Sequence, residues 1–264
     1  MLEMDPVATL AEGPKANAVE RALLVLEALD NSRRGLNISE LSRRLRIPKS
    51  STHVIVLTLE RLGYVQKRPD SLHYGLGLRA YALGLSMSKS LSISELALPH
   101  MRGLVDQVRL SAHLAVQDGD QGIYIQKVEA PGMIKIDTYV GRRMDLHCTA
   151  VGKIILAFGP GDLLERLLAK PVYIRHTKNT ITSPKALQRE VLRVRKLGFA
   201  IDDEEEELAV RCVAVPVFGA GRFVAGLSVT GTTTQIPLDE VEAIAYRLRV
   251  AAASLIPPDR PEQN

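Results

Sequence analysis

Pro48 is the residue that most restricts how this chain can fold. Proline lacks a backbone N–H, and its ring collides with the carbonyl four residues back, so helices accept it only in their first turn. It stands inside "NISELSRRLRIPKSSTHVIVLTLERLGY", between two stretches whose apolar residues recur at helical spacing. Before it, Ile38, Leu41, Leu45 and Ile47 make one stripe, and Asn37 with Glu40 three residues on has the form of a capping box. After it, a helix is expected from Pro48 to about Leu62, with Gly63 placed to stop it. The chain must therefore turn at Arg46-Ile47, and the two helices cannot form one rod.

At 100° per residue, Thr52, Ile55, Leu59 and Leu62 share one face of the second helix, with Val56 on its flank. Ser50, His53 and Leu57 point the other way, flanked by Lys49 and Val54. Upstream, "NAVERALLVLEALDNS" carries Val19, Ala22, Leu23, Leu26 and Leu29 at helical spacing and ends at Asn31-Ser32 and Gly35. Downstream, "YVQKRPDSLHYGLG" reads as two short strands around a Pro-Asp-Ser turn. Helix, short helix, sharp turn, helix and hairpin is the order of a winged helix-turn-helix. The polar start of the second helix then makes sense. Ser50, Ser51 and His53 leave room for base edges, while Lys49 and the helix N-terminal amides meet phosphates. Lys67 and Arg68, at the hairpin tip, would touch the DNA backbone.

Charge distribution agrees. Residues 17–80 hold eleven Lys/Arg against six Asp/Glu, whereas the rest of the chain carries a net charge of −1. Phosphate attraction is the commonest use of such an asymmetry. The competing reading of the same element order is a small helical domain whose hairpin binds another protein.

A length of 264 residues fits two domains better than one. Residues 1–16 are Pro/Gly/Ala/acid-rich, read as a disordered tail, and lack the basic stretch and apolar core of a secretory signal. No apolar run approaches the roughly 18 residues that span a bilayer. Cys148 and Cys212 lie far apart with no CxxC pair, which points to a reducing cytoplasm and not to a disulfide framework. "LRAYALGLSMSKS" reads as an exposed amphipathic helix, and the Ser-rich "SKSLSIS" after it marks a domain boundary. A helix from about Ile93 to Val108 opens the second domain. Beyond it, "SAHLAVQ", "QGIYIQKVE" and "IKIDTYV" are strand-like, and "TAVGKIILAF", "GDLLERLLA" and "SPKALQREVLRVRKLG" are helical. "FAIDDEEEELAVRCVAVPVFGAGRFVAGLSVTG" reads as strand, acidic loop, strand, tight turn, strand, and a long helix closes the domain. The fold class is therefore α+β, with an antiparallel-rich sheet flanked by helices. The expected organisation is a tail over 1–16, a winged helix-turn-helix over 17–77, a linker helix over 78–92, an α+β domain over 93–256 and a flexible tail over 257–264.

The strings "VERALLVLEAL", "ISELSRRLRIPKSSTH", "GYVQKR", "YGLGLRAYALG", "LHCTAVGKIILAF", "LGFAIDDEEEELAVRCVAVPVF" and "GLSVTG" occur in this order. Together they resemble the IclR-type transcriptional regulators, from Asn17 to Ile256. The resemblance implies a DNA-binding winged helix, a linker helix and a GAF-like effector-binding domain. It also implies a homodimer or dimer of dimers on a palindromic operator, a small carboxylate or aromatic acid as effector, and neither cofactor nor catalysis. One departure matters: relatives commonly carry an arginine on the reading helix where this chain has Val54, so Val54 and Leu57 either touch thymine methyls or pack on the wing. Carried over by position, Ala150, Val151 and Gly152 begin a helix facing the ligand, and its free amides suit a carboxylate. Asp202, Cys212, Ser228 and Thr230 match polar pocket positions, and Met133, Ile136 and Met144 match the apolar lining.

Other chemistries compete with these readings. The acidic run Asp202 to Glu207 reads as a solvated loop apart from Asp202. His147, Cys148, Cys212 and Asp202 could converge on zinc, although their spacing is not that of a zinc finger. A Cys–His dyad at 147–148 is opposed by the rule that adjacent strand residues face opposite ways. "HCTAVGKI" lacks the leading glycine of a phosphate loop, and Ile154 stands where magnesium would need a hydroxyl. "GAGRFVAG" fits a hairpin turn, and "GLSVTG" lacks the glycine of a nucleophile elbow. The alternative function is a metal-dependent or thiol enzyme fused to a helical partner-binding domain.

Overall fold

In the computed structural model, which describes residues 17–32, 34–69, 71–90, 92–132 and 136–255, the chain divides into two compact units at Ser90/Leu91. For residues 85–90 and 92 the backbone alone is described. The tails expected at 1–16 and 257–264, and Met133, lie outside the described residues.

In the first unit, helix α1 (Ala18–Asp30) opens with a capping box between Asn17 and Glu20. Helix α2 (Ile38–Leu45) opens with the one expected between Asn37 and Glu40, both bonds being 2.9 Å. Arg46 adopts the left-handed conformation (φ 52°) that ends α2, and Ser42 Oγ donates to the Ile47 carbonyl at 2.7 Å to hold the turn. Helix α3 (Lys49–Arg61) starts directly after Pro48, and Gly63 (φ +79°) lets the chain leave it. Strands β1 (Val65–Lys67) and β2 (Tyr74–Leu76) form the antiparallel wing, and Leu36 bridges to Tyr74 on its other side. Gly35 is required there, because a Cβ would lie 2.4 Å from the Tyr74 carbonyl oxygen and φ is +75°. Helix α4 (Leu78–Ser90) ends the unit.

Val25, Ala28, Leu29, Leu41, Leu45, Ile47, Val56 and Leu59 form the core of this unit. Each large aliphatic among them contributes about 1.5–3 kcal/mol by burial. Two details differ from the sequence expectation. On α1 the buried stripe is Leu24, Val25, Ala28 and Leu29, whereas Val19 and Leu23 are exposed. Ala22 to Leu26 is apolar on every side, so periodicity alone left the phase open by one residue. On α3, Val56 sits at the centre of the buried face with Thr52 and Leu59, Ile55 is half-buried, and Leu62 is exposed. Leu62 lies past the last helical turn, so extrapolating the helix to it misplaces its side chain.

In the second unit, α5 (Ser92–Val108) leads into a six-stranded antiparallel sheet of order β5-β4-β3-β8-β7-β6. The strands are β3 (Ser111–Asp118), β4 (Gln121–Val128), β5 (Arg143–Met144), β6 (Ala200–Asp203), β7 (Val210–Gly219) and β8 (Arg222–Thr232). Helices α6 (Ala150–Phe158), α7 (Gly161–Leu168) and α8 (Pro184–Leu197) separate the two halves of the sheet in sequence, and α9 (Val241–Leu255) closes the unit. Alternation along the strands feeds two cores. Ala112, Leu114, Val213, Val215, Leu227 and Val229 pack with α5 and α9. Ala115, Tyr124, Ala200 and Ala214 pack with α6, α7 and α8 on the opposite face. The β7–β8 turn places Ala220 and Gly221 at φ 48° and 73°, the twisted two-residue hairpin that "GAG" anticipated.

The strand expected over "IKIDTYV" does not form in its described part, residues 136–140. Its β-branched composition favours extension, but the segment pairs with no strand. It folds instead as a loop, held by Arg142 donating to the Asp137 carbonyl at 2.7 Å and by Gly141 N–H donating to the Tyr124 carbonyl.

Candidate functional site

Two surfaces gather the residues singled out by the sequence, one in each unit. The first is the outer face of α3. Lys49, Ser50 and His53 are exposed and Ser51 is half-buried, while Thr52, Val56 and Leu59 anchor the opposite side. Val54 and Leu57, 64% and 42% exposed, lie on the same outer face and are not consumed by packing on the wing. Lys67 and Arg68 are both exposed, at the end of β1 and just beyond it. Arg34, Arg43 and Arg46 are also exposed in this unit, so the face lies in a cationic surround. It is an exposed helix face of polar and cationic residues with two apolar side chains, flanked by a basic hairpin, an arrangement that fits a groove.

The second surface is the sheet face beneath α6. Strand register brings the expected polar residues into two adjacent rows. Asp202 pairs with Cys212, which pairs with Thr230, and Ala214 pairs with Ser228, which pairs with His113. Ala150, Val151 and Gly152 form the buried first turn of α6 above them. Gly226 makes that approach possible, because a Cβ there would fall 2.4 Å from Val151 Cγ2. Thr149 caps the helix by accepting from Gly152 N–H at 3.1 Å and donating to the Asp145 carbonyl at 2.7 Å. No hydrogen-bond partner for the Ala150 and Val151 amides is found among the described residues. Met144 is buried in the core beside α6, and Ile136 is half-buried in the 136–140 loop. Two open surface depressions, of about 560 and 490 Å³, lie elsewhere, along α5 and β4 and between α8 and α9, and include none of these residues.

Polar groups that the sequence reading passed over complete this face. His113 Nε2 is 2.7 Å from Thr138 Oγ1, and its Nδ1 is 3.5 Å from Thr230 Oγ1. Thr230 Oγ1 in turn donates to Cys212 Sγ at 3.3 Å. Tyr124 packs against the His113 ring at 4.9 Å. The period-2 alternation of "SAHLAVQ" could have placed His113 on this face, because Ala112 and Leu114 face the other core. Burial, reinforced by the Lys127 and Arg142 charges, pushes the His113 pKa down to about 3. Burial pushes Asp202, 2% exposed, up to about 7, against the pull of the Glu205 amide that its carboxylate accepts at 2.8 Å.

The acidic run is not a solvated loop throughout, as the sequence suggested. Glu204 takes the left-handed conformation (φ 59°), which turns Glu205 inward. There Glu205 meets the fully buried Lys153, whose ammonium also donates to the Ile201 carbonyl at 2.8 Å. Glu206 is half-buried and pairs with Arg142 at 3.3 Å. Thr177 and Thr180 clamp the loop by donating to the carbonyls of Glu204 and Glu205, each at 2.6 Å.

The zinc grouping weighed as a competing chemistry is also not the one the structure assembles. His147 and Cys148 lie in a turn and not on a strand, so both side chains converge instead of diverging. They join Asp145 and His176, with one ligand atom of each residue within 4.8 Å of the others. Cys212 and Asp202 are not in that cluster. Burial pushes both thiols well above the ordinary cysteine range, which makes neither a ready nucleophile.

His113 and Asp202 give this unit opposed pH dependences. Unfolded, His113 takes its proton near 6.5, but the native site refuses it until about 3, so acidification across that window favours unfolding. Native Asp202 takes its proton near 7 and the unfolded chain near 3.8, so acidification across that window favours the fold. Each contributes roughly 1.4 kcal/mol per pH unit, and the two nearly cancel between pH 4 and 6.5. Removing one should uncover the other. His113→Asn should gain stability from pH 7 to 5 relative to the parent chain, and Asp202→Asn should lose it. Urea unfolding midpoints at stepped pH measure this, and parallel curves for the two variants would contradict the assignment.

Known proteins resemble this chain in sequence and in fold. Residues 85–256 match the family described as Bacterial transcriptional regulator IclR C-terminal, and residues 18–69 match the IclR helix-turn-helix domain. The HTH-type transcriptional regulator XynR of Escherichia coli (strain K12) is 32% identical over 243 residues, covering 92% of this chain and 96% of that protein. The Thermotoga maritima IclR crystal structure superposes with a TM-score of 0.70 at 30% identity, covering 90% and 97% of the two chains. An IclR homologue from Microbacterium hydrocarbonoxydans, solved in complex with 4-hydroxybenzoate, superposes with a TM-score of 0.79 at 26% identity, over 90% of this chain and 97% of that one.

Proposed function

The chain belongs to the IclR family of bacterial transcriptional regulators, and from that premise we propose that it is a homodimeric, non-catalytic regulator whose grip on a palindromic operator is changed by a small organic or aromatic acid. The observation that carries the DNA part is the two-sidedness of α3: Ser50 and His53 face outward while Thr52, Val56 and Leu59 are anchored inside. On this reading Lys49, Ser50, Ser51 and His53 enter the major groove, and Lys67 and Arg68 bind backbone phosphates. Val54 and Leu57, exposed beside them, suit thymine methyls better than wing packing. Exposed apolar side chains on α1 (Val19, Leu23) and α4 (Leu78, Tyr81, Leu83) support self-association through this unit. Two-fold symmetry would then be mirrored in the operator. Among the described residues no helix is long and apolar enough to cross a membrane, in keeping with action on cytoplasmic DNA.

The effector is assigned to the sheet face beneath α6, between the helix amides and the rows of Asp202, Cys212, Ser228 and Thr230, with Ile136 and Met144 as apolar lining. His113 joins the polar side of this site. The raised pKa of Asp202 removes a difficulty with a carboxylate ligand: near neutrality the Asp202 carboxyl can keep a proton and donate it in a hydrogen bond. Binding would favour one arrangement of the linked units, and a coupling of about 1–3 kcal/mol would change operator affinity roughly 5- to 150-fold. The elevated thiol pKa values speak against the alternative of a thiol enzyme.

Two measurements test these parts separately. For the operator, Lys67→Ala/Arg68→Ala should weaken binding to all sequences alike and flatten the dependence of log K on log salt by about 0.9 for each phosphate no longer neutralised. An unchanged slope in a gel-shift titration would remove the wing from the interface. For the effector, calorimetry with 4-hydroxybenzoate and a panel of other small acids should show proton uptake on binding, with affinity falling about tenfold per pH unit above 7. Asp202→Asn, which keeps a donor but no titrating proton, should abolish that fall. The same pH slope in parent and variant would exclude Asp202 from the ligand's carboxylate.

A further inference from the structure

We infer that Asp145, His147, Cys148 and His176 form a binding site for a divalent transition-metal ion of the zinc class. The four side chains offer one carboxylate oxygen, two imidazole nitrogens and one thiol sulfur, all within 4.8 Å of one another. This mixed N, S and O set is the one that favours tetrahedral zinc over magnesium or calcium, which take oxygen ligands. Ligands at about 2.0–2.3 Å from a tetrahedral centre stand roughly 3.3–3.8 Å apart. Closure around an ion therefore needs the ligand atoms to approach by about 1 Å.

The surroundings are arranged as they are around metal ligands. His147 Nε2 lies 2.9 Å from the Ile174 carbonyl oxygen, which can only accept, so Nε2 carries the hydrogen and Nδ1 keeps its lone pair. The Tyr173 ring stacks on His147 at 5.0 Å and fixes its plane. Asp145 and His176 hold each other through Oδ2 and Nε2 at 3.0 Å, so two ligands from distant parts of the chain already stand side by side. The Asp145 carbonyl is tied to the α6 cap through Thr149, and His176 N–H donates to Thr180 Oγ1 at 3.1 Å. An ion here would join the turn before α6 to the 174–180 segment, whose threonines clamp the Glu204–Glu205 loop. The site uses none of Asp202, Cys212, Ser228 or Thr230, although the turn that carries three of its ligands leads into α6.

The experiment is titration of tag-free, chelator-stripped full-length protein with zinc by calorimetry and with cobalt by absorption spectroscopy. The expected result is one ion per chain and a cobalt–thiolate charge-transfer band. Cys148→Ser should abolish the band, and His176→Gln should weaken zinc binding at least tenfold. Cys212→Ser should retain both the band and the affinity. His176 lies at the surface edge of the cluster, so its variant tests the site even if Cys148→Ser disturbs the fold, and circular dichroism of each variant reports that. Absence of stoichiometric binding, full zinc affinity in His176→Gln, or loss of the band in Cys212→Ser with its retention in Cys148→Ser would overturn the assignment.

Discussion

Val56→Asp should abolish operator binding, although Val56 touches no DNA in the proposed complex. The Val56 side chain is 0% exposed, at the centre of the core that α1, α2 and α3 share. Aspartate there would forfeit the burial of valine and leave a carboxylate with no buried cation. The loss is on the order of 4 kcal/mol or more, against the 5–15 kcal/mol that holds a typical domain together. A unit this small stands at the low end of that range. Two residues earlier the same change has a different result. Val54→Asp should leave the fold intact and weaken operator binding by setting a negative charge against the phosphates. Amide hydrogen exchange distinguishes the two: protection across 18–61 should collapse in Val56→Asp and persist in Val54→Asp. Equal protection in both variants would mean that the inner and outer faces of α3 are misassigned.

The second large effect is expected at Lys153. Its ammonium is buried between Glu205, the Ile201 carbonyl and Glu190, the last at 3.7 Å. Glu190 has a further partner in Arg193, at 2.7 and 2.8 Å, but Glu205 Oε2 has no hydrogen-bond partner among the described residues. Lys153→Met keeps most of the volume and removes the charge, leaving the Glu205 carboxylate buried without a cation. Breaking one side of such a pair costs about 3–5 kcal/mol. Burial already raises the Glu205 pKa, opposed by Lys153, and without the lysine it should rise further. A carboxyl whose folded pKa is raised loses stability as pH climbs through that pKa, so the deficit of Lys153→Met should shrink on acidification. Adding Glu205→Gln should recover most of it at neutral pH. Urea midpoints that fall by less than about 1 kcal/mol for the single variant, or are not restored in the double, would show that the pair does not hold the loop.

The two units differed in how much of them could be read directly. Pro48, the Asn37–Glu40 capping box and Gly63 are local signals, and local backbone physics places α2, the turn and α3 almost to the residue. The outward direction of Ser50 and His53 followed from period alone, because the α3 residues opposite Thr52 and Leu59 include its most polar ones, even though Val54 and Leu57 share that side. Period failed on α1, where Ala22 to Leu26 is apolar all round and only packing chooses which part faces in. It failed again at "IKIDTYV", whose strand-like composition finds no partner to pair with. In the second unit the elements were legible, but the meeting of their side chains was not.

What the chain determines by itself is therefore local: element order, helix caps, turn positions and the basic surplus of its first quarter. These depend on interactions a few residues apart, which the linear order contains. Only the tertiary structure decided that Glu205 turns inward to Lys153, 52 residues away, that His113 stands in one row with Ser228, and that Asp145, His147 and Cys148 meet His176. Those pairings depend on strand register and on how the loops are clamped, and register is set by the packing of the whole sheet, not by any short stretch of chain.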